Sequence, residues 1–221
     1  MCSCSGALDL FLQKKGAFYQ NKSHWTKDPM AHIVPHWNFK GLEGREIPVT
    51  VYTNCEELEL FLNGKPLGKR QIEKYGHGEW SVEYIPGTLE VKGYIGGNEV
   101  CGDKRVTTGR PAALKLTQDN DFTANGSDIA LFTCECVDEN GLTVPDAAEY
   151  VRFSVSAPAK IIGTGSDNCD HNNVANTERK MYMGKIRIAI KPKQGQESFT
   201  LTAMSDNCGV CEKTVSLCAE N

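Results

Sequence analysis

The chain has 221 residues, of which 40% are hydrophobic and 24% charged, and its net charge is −4 at pH 7. These totals are ordinary for one or two globular domains. They lack the basic patch or stripe typical of nucleic-acid-binding proteins, and no apolar run approaches the roughly 20 residues of a membrane-spanning helix. We therefore expect neither nucleic acid nor a membrane as a partner. The 21 glycines and nine prolines supply many turns and favour an all-β fold.

A short helix is predicted after an initial loop, within residues 6–25. Its large apolar residues, Phe18, Tyr19 and Trp25, fall partly on one side at helical spacing. Asp28-Pro29 ends the helical segment, because the residue before a proline avoids the helical backbone region. One helix of this length cannot bury its own apolar side, so we expect another part of the protein to cover it.

A first β region follows, in which apolar residues alternate with a period of two. Residues 47–51, 57–62 and 80–84 show this alternation. Asn63-Gly64 and Gly96-Gly97 mark hairpin turns, and the first is the stronger signal because both of its residues accept a positive φ. The expected core of this compact β-sandwich is Leu58, Leu60, Leu62, Trp80, Val82 and Tyr84.

A second β region begins after a linker at residues 107–111. Its short predicted strands lie near residues 114–116, 129–137, 151–155, 186–190, 199–201 and 215–217. Short strands with regular turns are typical of an immunoglobulin-like sandwich. The longest polar loop covers residues 163–180, and loops held by a rigid sandwich often carry function. The predicted fold class is mainly β: two consecutive immunoglobulin-like or fibronectin-III-like sandwiches, preceded by a short helical segment.

Ten cysteines leave three alternatives open: reduced thiols, disulfides or a metal site. Cys134 and Cys136 lie two apart on a predicted strand and so face the same side, where they fit a packed face as small hydrophobes. Cys208-Gly-Val-Cys211 has the spacing of a redox or zinc motif, and Cys134 with Cys136 would supply the remaining two ligands. We favour reduced thiols, with no metal and no cofactor. Reduced thiols are more typical of the cytoplasm, although the sequence leaves the compartment open.

Candidate binding residues come from the histidines, the tryptophans and the polar loop. Pro35 opposes a helix that would bring His32 and His36 together as metal ligands. An exposed tryptophan can stack on a sugar ring, and Trp37 is the candidate carbohydrate-binding residue, since Trp80 belongs to an alternating core face. The loop also offers oxygen ligands for calcium at Asp167, Asn168 and Asp170. Their spacing is not that of a recognised calcium-binding loop.

Several stretches together resemble one known family. They are Phe18-Tyr-Gln-Asn-Lys-Ser-His-Trp25, His32-Ile-Val-Pro-His-Trp-Asn38, Leu60-Phe-Leu-Asn-Gly-Lys65, Tyr84-Ile-Pro-Gly-Thr-Leu-Glu-Val-Lys-Gly-Tyr94 and Val137-Asp-Glu-Asn-Gly-Leu-Thr-Val-Pro145. From residue 6 to about 218 the chain resembles the C-terminal region of glycoside hydrolase family 2 enzymes, most closely bacterial β-galactosidases. It departs from the family at Gly165-Ser-Asp-Asn-Cys169, where the family has Asn-Gly-Asp after a Gly-rich segment.

This resemblance implies three segments. Residues 1–35 would be the end of the catalytic (β/α)8 barrel, residues 36–108 an accessory β-sandwich, and residues 109–221 a C-terminal immunoglobulin-like sandwich. The family's acid/base and nucleophile glutamates lie in the barrel, so no catalytic residue is expected in this chain, which is predicted to be inactive alone. The parent enzyme would hydrolyse terminal β-galactosides with retention, through a covalent glycosyl-enzyme. The family also contains glucuronidases and mannosidases, so the resemblance leaves the exact glycoside open.

The expected role of the chain is structural: to cover the barrel, to shape its rim and to support oligomer contacts. The implied partners are the catalytic domains of the same polypeptide, the carbohydrate substrate of the parent and further copies in a homo-oligomer. Two alternatives stay open. One is a carbohydrate-binding module that uses Trp37 or the 163–180 loop, and the other is a structural immunoglobulin-like array of a surface protein.

Overall fold

The computed structural model describes residues 6–9, 12–166 and 173–217. The fold is mainly β, as predicted, with one helix and fifteen strands in these ranges. Within these ranges the chain divides into two compact units, residues 6–107 and 108–217. No helix in the described ranges is long and apolar enough to cross a membrane.

The first unit contains the helix and seven strands. The helix α1 spans Gly16–Trp25. The strands are β1 (Ala31–Val34), β2 (Glu46–Thr53), β3 (Glu57–Leu62), β4 (Lys65–Gln71), β5 (His77–Glu83), β6 (Thr88–Ile95) and β7 (Asn98–Val106). They form two antiparallel sheets, ordered β1-β2-β5 and β4-β3-β6-β7.

The alternation in sequence explains how these two sheets pack. In β5 and β3 every second residue is buried, because successive side chains of a strand point to opposite faces. All six residues of the predicted core are buried, and they contribute to one cluster with Val49, Val51, Leu89 and Val91. The buried residues come from both sheets, so the first unit is a β-sandwich with its core between them.

The Asn63-Gly64 turn joins β3 to β4 as predicted. Asn63 has φ 51° and Gly64 has φ 78°, the pair of positive values that a type I′ hairpin turn requires. Leu62 pairs with Lys65 across it. Gly96-Gly97, with φ 57° and 81°, makes the equivalent turn between β6 and β7.

The second unit contains eight strands: β8 (Ala113–Gln118), β9 (Ala130–Val137), β10 (Tyr150–Val155), β11 (Lys160–Gly165), β12 (Glu178–Lys180), β13 (Lys185–Lys191), β14 (Ser198–Ser205) and β15 (Gly209–Ser216). Their sheets are ordered β12-β10-β14-β15 and β11-β13-β9-β8. Buried residues of both sheets meet in one core, including Phe132, Ile188, Phe153 and Leu201. This unit is therefore a second sandwich.

The beginning of the chain contributes a strand to the first sandwich. The segment predicted to end at residue 35 contains β1, which pairs with β2 and brings Ile33 opposite Val51. Ile33 is fully buried in the core of the first unit. Residues 31–34 are thus an edge strand of the first sandwich, and α1 belongs to the same compact unit.

Candidate functional site at the helix junction

Helix α1 lies against the edge of the first sandwich, where one pair of aromatic rings is stacked. The ring of Tyr19 lies parallel to that of His32 on β1, with 3.3 Å between centroids and 8° between planes. Within α1 only Ser23 is buried. The stacked rings of Tyr19 and His32 therefore connect the helix to the edge strand β1.

His32 is held by a polar network that joins β1 to β7. The Asp103 carboxylate accepts a hydrogen bond from the Ile33 backbone N–H at 2.9 Å and lies 3.4 Å from Nδ1 of His32. Arg105 donates through Nη2 to the Ile33 carbonyl at 2.8 Å and through Nη1 to Asp103 at 2.9 Å. Because the partners come from residues about 70 positions apart, this network fixes the edge strand that carries the helix.

The network also keeps His32 neutral. Burial and the Arg105 guanidinium lower the pKa of His32 to about 4, against a smaller opposite effect of the Asp103 carboxylate. Both disfavour the imidazolium, because a charged ring loses hydration on burial and is repelled by a neighbouring cation. At neutral pH the ring is thus a hydrogen-bonding and stacking group, with no positive charge.

The connector between α1 and β1 is tied to the end of β2. Asn54 donates to the carbonyls of Thr26 and Asp28, and its side-chain oxygen accepts from the Met30 N–H at 2.9 Å. Thr53 donates to the Met30 carbonyl at 2.7 Å. These bonds satisfy backbone groups that leave the helix and fix the path of residues 26–30.

Two aromatic side chains are exposed beside this junction. Trp25, the last residue of α1, is 81% exposed, and Tyr75, between β4 and β5, is 62% exposed. His24 contacts the Tyr75 ring edge-on, with 5.5 Å between centroids. Trp25 thus leaves most of its ring uncovered at the end of a helix that is docked on the sandwich.

Trp37, the predicted carbohydrate-binding residue, lies elsewhere. It is fully buried in the core of the first unit. Its Nε1 donates to the Ile85 carbonyl at 3.0 Å, and its ring meets those of Tyr84 and Phe39 edge-to-face. Because both ring faces are covered, this placement argues against stacking on a sugar.

The polar loop predicted at residues 163–180 is organised at its base by a buried arginine. Arg179 on β12 donates to the carbonyls of Thr164 and Asn173 at 2.9 and 2.8 Å. Residues 163–165 belong to β11 and 178–180 to β12. The proposed calcium ligands lie outside the described residues: Asp167, Asn168 and Asp170.

The cysteines of the described ranges are all free thiols. Two pairs lie close together: Cys55 with Cys101, 3.3 Å apart, and Cys136 with Cys208, 3.6 Å apart. Cys134 is buried beside the second pair, and burial raises its pKa. Among the described residues, no three His, Cys, Asp or Glu side chains are arranged to hold a metal ion.

Glu57 and Glu59, the clearest acidic residues of the sandwich, lie on β3 with polar partners. Glu57 accepts from Lys69 Nζ at 2.7 Å, and Glu59 accepts from the Tyr94 hydroxyl at 3.3 Å. Exposed pairs of this kind contribute little to stability, because water and salt screen them. Their arrangement is that of a polar sheet face.

Comparison with known families assigns most of both units. Residues 114–214 match the family described as glycoside hydrolase family 2 C-terminal domain 5. Residues 44–101 match a domain of unknown function, DUF4982. The two matched segments fall one in each compact unit.

Similar proteins are much longer than this chain. The β-galactosidase BoGH2A of Bacteroides ovatus is 34% identical over 219 residues, which are 97% of this chain and 25% of that protein. A β-glucuronidase of Formosa agariphila is 33% identical over 218 residues, 96% of this chain and 22% of that protein. The chain thus spans about a quarter of the length of the curated relatives it matches.

Solved structures agree with these matches. A β-glycosidase from Bacteroides vulgatus aligns with a TM-score of 0.90 and 28% identity, over 96% of this chain and 28% of that one. A β-glucuronidase from glycoside hydrolase family 2 aligns with a TM-score of 0.89 and 29% identity, over 98% of this chain and 23% of that one. The chain therefore belongs to glycoside hydrolase family 2, and it corresponds to the C-terminal β-domains of that family's enzymes.

Proposed function

We propose that this chain is the non-catalytic C-terminal part of a retaining β-galactosidase, and that its first unit anchors the end of the catalytic barrel. Relatives about four times as long support a larger parent enzyme. The β-galactosidase of Bacteroides ovatus supports the galactoside, whereas the β-glucuronidase of Formosa agariphila supplies the competing substrate.

One observation carries the anchoring role: α1 is docked on one side only. Tyr19 stacks on His32, while Trp25 at the end of the same helix is 81% exposed. A large aromatic ring contributes about 1.5–3 kcal/mol when it is buried. The partner that covers Trp25 in the parent would be the barrel of the same polypeptide, with α1 as its last helix.

The substrate is tested with the full-length gene product. We expect kcat/KM for p-nitrophenyl β-galactoside to exceed that for the β-glucuronide by at least about tenfold, or ~1.4 kcal/mol of transition-state binding. The 221-residue chain should hydrolyse neither above background. A preference for the glucuronide would refute the galactosidase assignment, and enzyme-like turnover by the isolated chain would refute its non-catalytic role.

The anchoring role is tested separately in the full-length protein. Trp25→Ala should lower the temperature at which half the activity is lost by several degrees, because it removes a ring buried against the barrel. Tyr150→Ala is the matched control, since it removes an exposed aromatic ring from β10 of the second unit. Equal effects of the two substitutions would contradict the contact with the barrel.

A further inference from the structure

Two thiols of the first unit meet across a strand. Cys55, just before β3, and Cys101, on β7, have their Sγ atoms 3.3 Å apart. The strand between them in the sheet is β6. A disulfide bond is about 2 Å long, so closing one needs an approach of only about 1 Å.

Gly93 on β6 makes this meeting possible. A Cβ atom at Gly93 would lie 2.7 Å from the Cys101 sulfur and 2.8 Å from the Cys55 sulfur. Both distances are far below ordinary van der Waals contact. Because Gly93 has no side chain, the two thiols can approach each other in the space that a Cβ atom would fill.

The chemistry of the pair favours reaction. A hydrogen bond from Cys101 lowers the pKa of Cys55 to about 6, while the same bond raises the pKa of Cys101. The pair therefore loses its first proton below the usual range of a free thiol, and the thiolate is the nucleophile in disulfide exchange. Cys55 is buried, whereas Cys101 is partly exposed, so a reagent would have to approach the pair from the Cys101 side.

The other close pair lacks these properties. Cys136 and Cys208 are both buried, with sulfurs 3.6 Å apart. Burial and the neighbouring thiol raise the pKa of Cys136 to about 12. Both cysteines of this second pair are shielded from solvent, and the pair is therefore an internal reference for the first.

We propose that Cys55 and Cys101 form a redox modification site that a low-molecular-weight disulfide, such as oxidised glutathione, converts into an intramolecular disulfide. The thiolate of the pair attacks one sulfur of the reagent, forms a mixed disulfide and releases one thiolate. The second cysteine, losing its proton, attacks the mixed disulfide and releases the other. Two protein thiols are oxidised, one reagent disulfide is reduced, and the two protons end on the two thiols released.

The disulfide would hold the connector between α1 and β1, residues 26–30, more firmly on the sandwich. Cys55 follows Asn54 and Thr53, which hold residues 26–30, and its sulfur lies 3.9 Å from the Met30 carbonyl. Linking it to β7 closes a loop across 46 positions and restricts the unfolded chain accordingly. Oxidation is thus expected to stabilise the segment that carries α1.

The test treats the reduced 221-residue chain with excess oxidised glutathione at pH 7.5, followed by acid quench, alkylation and peptide mass spectrometry. We expect a linked Cys55–Cys101 peptide to form at least tenfold faster than any Cys136–Cys208 link. The thermal midpoint of tryptophan fluorescence should rise by several degrees and return after reduction. Persistently alkylatable Cys55 and Cys101, or equal rates for the two pairs, would overturn the proposal.

Gly93→Ala is the matched control, because it keeps both cysteines and places a methyl group between them. It should slow disulfide formation at least tenfold, and unchanged formation would contradict the role of the gap. Cys101→Ser provides a second test that does not depend on the folding of the first variant. This variant should form no disulfide at Cys55. If Cys55 instead formed a disulfide with another cysteine at the wild-type rate, Cys55 and Cys101 would not be a specific pair.

Discussion

At the scale of single residues, His32 is the side chain whose protonation matters most for the first unit. Its pKa is about 4 in the folded chain and about 6.5 when unfolded. Between these values the unfolded chain binds a proton that the folded chain does not, so stability falls as the pH falls from about 6.5 to about 4. At about 1.4 kcal/mol per pH unit, the loss is at most about 3.5 kcal/mol.

The measurement is urea unfolding followed by tryptophan fluorescence at several pH values. Trp25, Trp37 and Trp80 all lie in the first unit, so the signal reports that unit. His32→Gln should be less stable than wild type at pH 7, because the stacked ring is lost, but its stability should decline less towards pH 4. His77→Gln, which removes a more exposed histidine, should keep the wild-type slope. A wild-type slope in His32→Gln would show that other groups control the acid response.

Trp80 and Trp37 show where the sequence pattern predicts the burial of a side chain and where it does not. Trp80 alternates with Val82 along β5, and the alternation alone predicts its burial. Trp37 lies in the irregular segment between β1 and β2, where no period indicates which way a side chain faces. The partners of His32, Asp103 and Arg105, come from β7, and a single sequence contains no signal for such a distant contact.

At the scale of elements, Asn63 joins two connections of the first sandwich. Its side-chain oxygen accepts from the Thr88 N–H at 2.7 Å, and its amide donates to the Pro86 carbonyl at 3.2 Å. It also holds φ 51° in the β3–β4 turn. The hairpin turn was predictable from Asn63-Gly64, but its link to the segment before β6 was not, because that contact spans 25 positions.

Three substitutions separate these contributions. Asn63→Gly keeps the left-handed backbone accessible but loses both hydrogen bonds, and should reduce the free energy of unfolding by about 1–2 kcal/mol. Asn63→Ala should lose about 1 kcal/mol more than Asn63→Gly, because an alanine backbone is strained at positive φ. Asn63→Asp retains the acceptor for Thr88 and should cost least.

Urea unfolding by tryptophan fluorescence measures all three variants. The expected order of stability is wild type, Asp, Gly and then Ala. If Ala and Gly were equal, the backbone conformation would contribute nothing measurable. If Asp were no better than Gly, the bond to Thr88 would not be a stabilising contact.

At the scale of the whole molecule, the two units have separate buried clusters. The first is tied to α1, whose exposed end motivates a partner in the parent enzyme. The second unit contains strands β8 to β15, whose two sheets pack around one core. The matched family segment 114–214 lies within this unit.

The second unit should therefore fold when it is produced alone as residues 108–221. Its core draws on both sheets, and its last strand is closed by the Leu217 N–H donating to the Glu197 carbonyl at 2.7 Å. We expect β-sheet circular dichroism and one cooperative urea transition. Ile188→Ala, at a fully buried position, should lower stability by about 2–5 kcal/mol. Ile162→Ala, at a 39% exposed position of β11, should change it far less. A non-cooperative transition, or equal effects of the two alanines, would mean that this core does not specify a fold by itself.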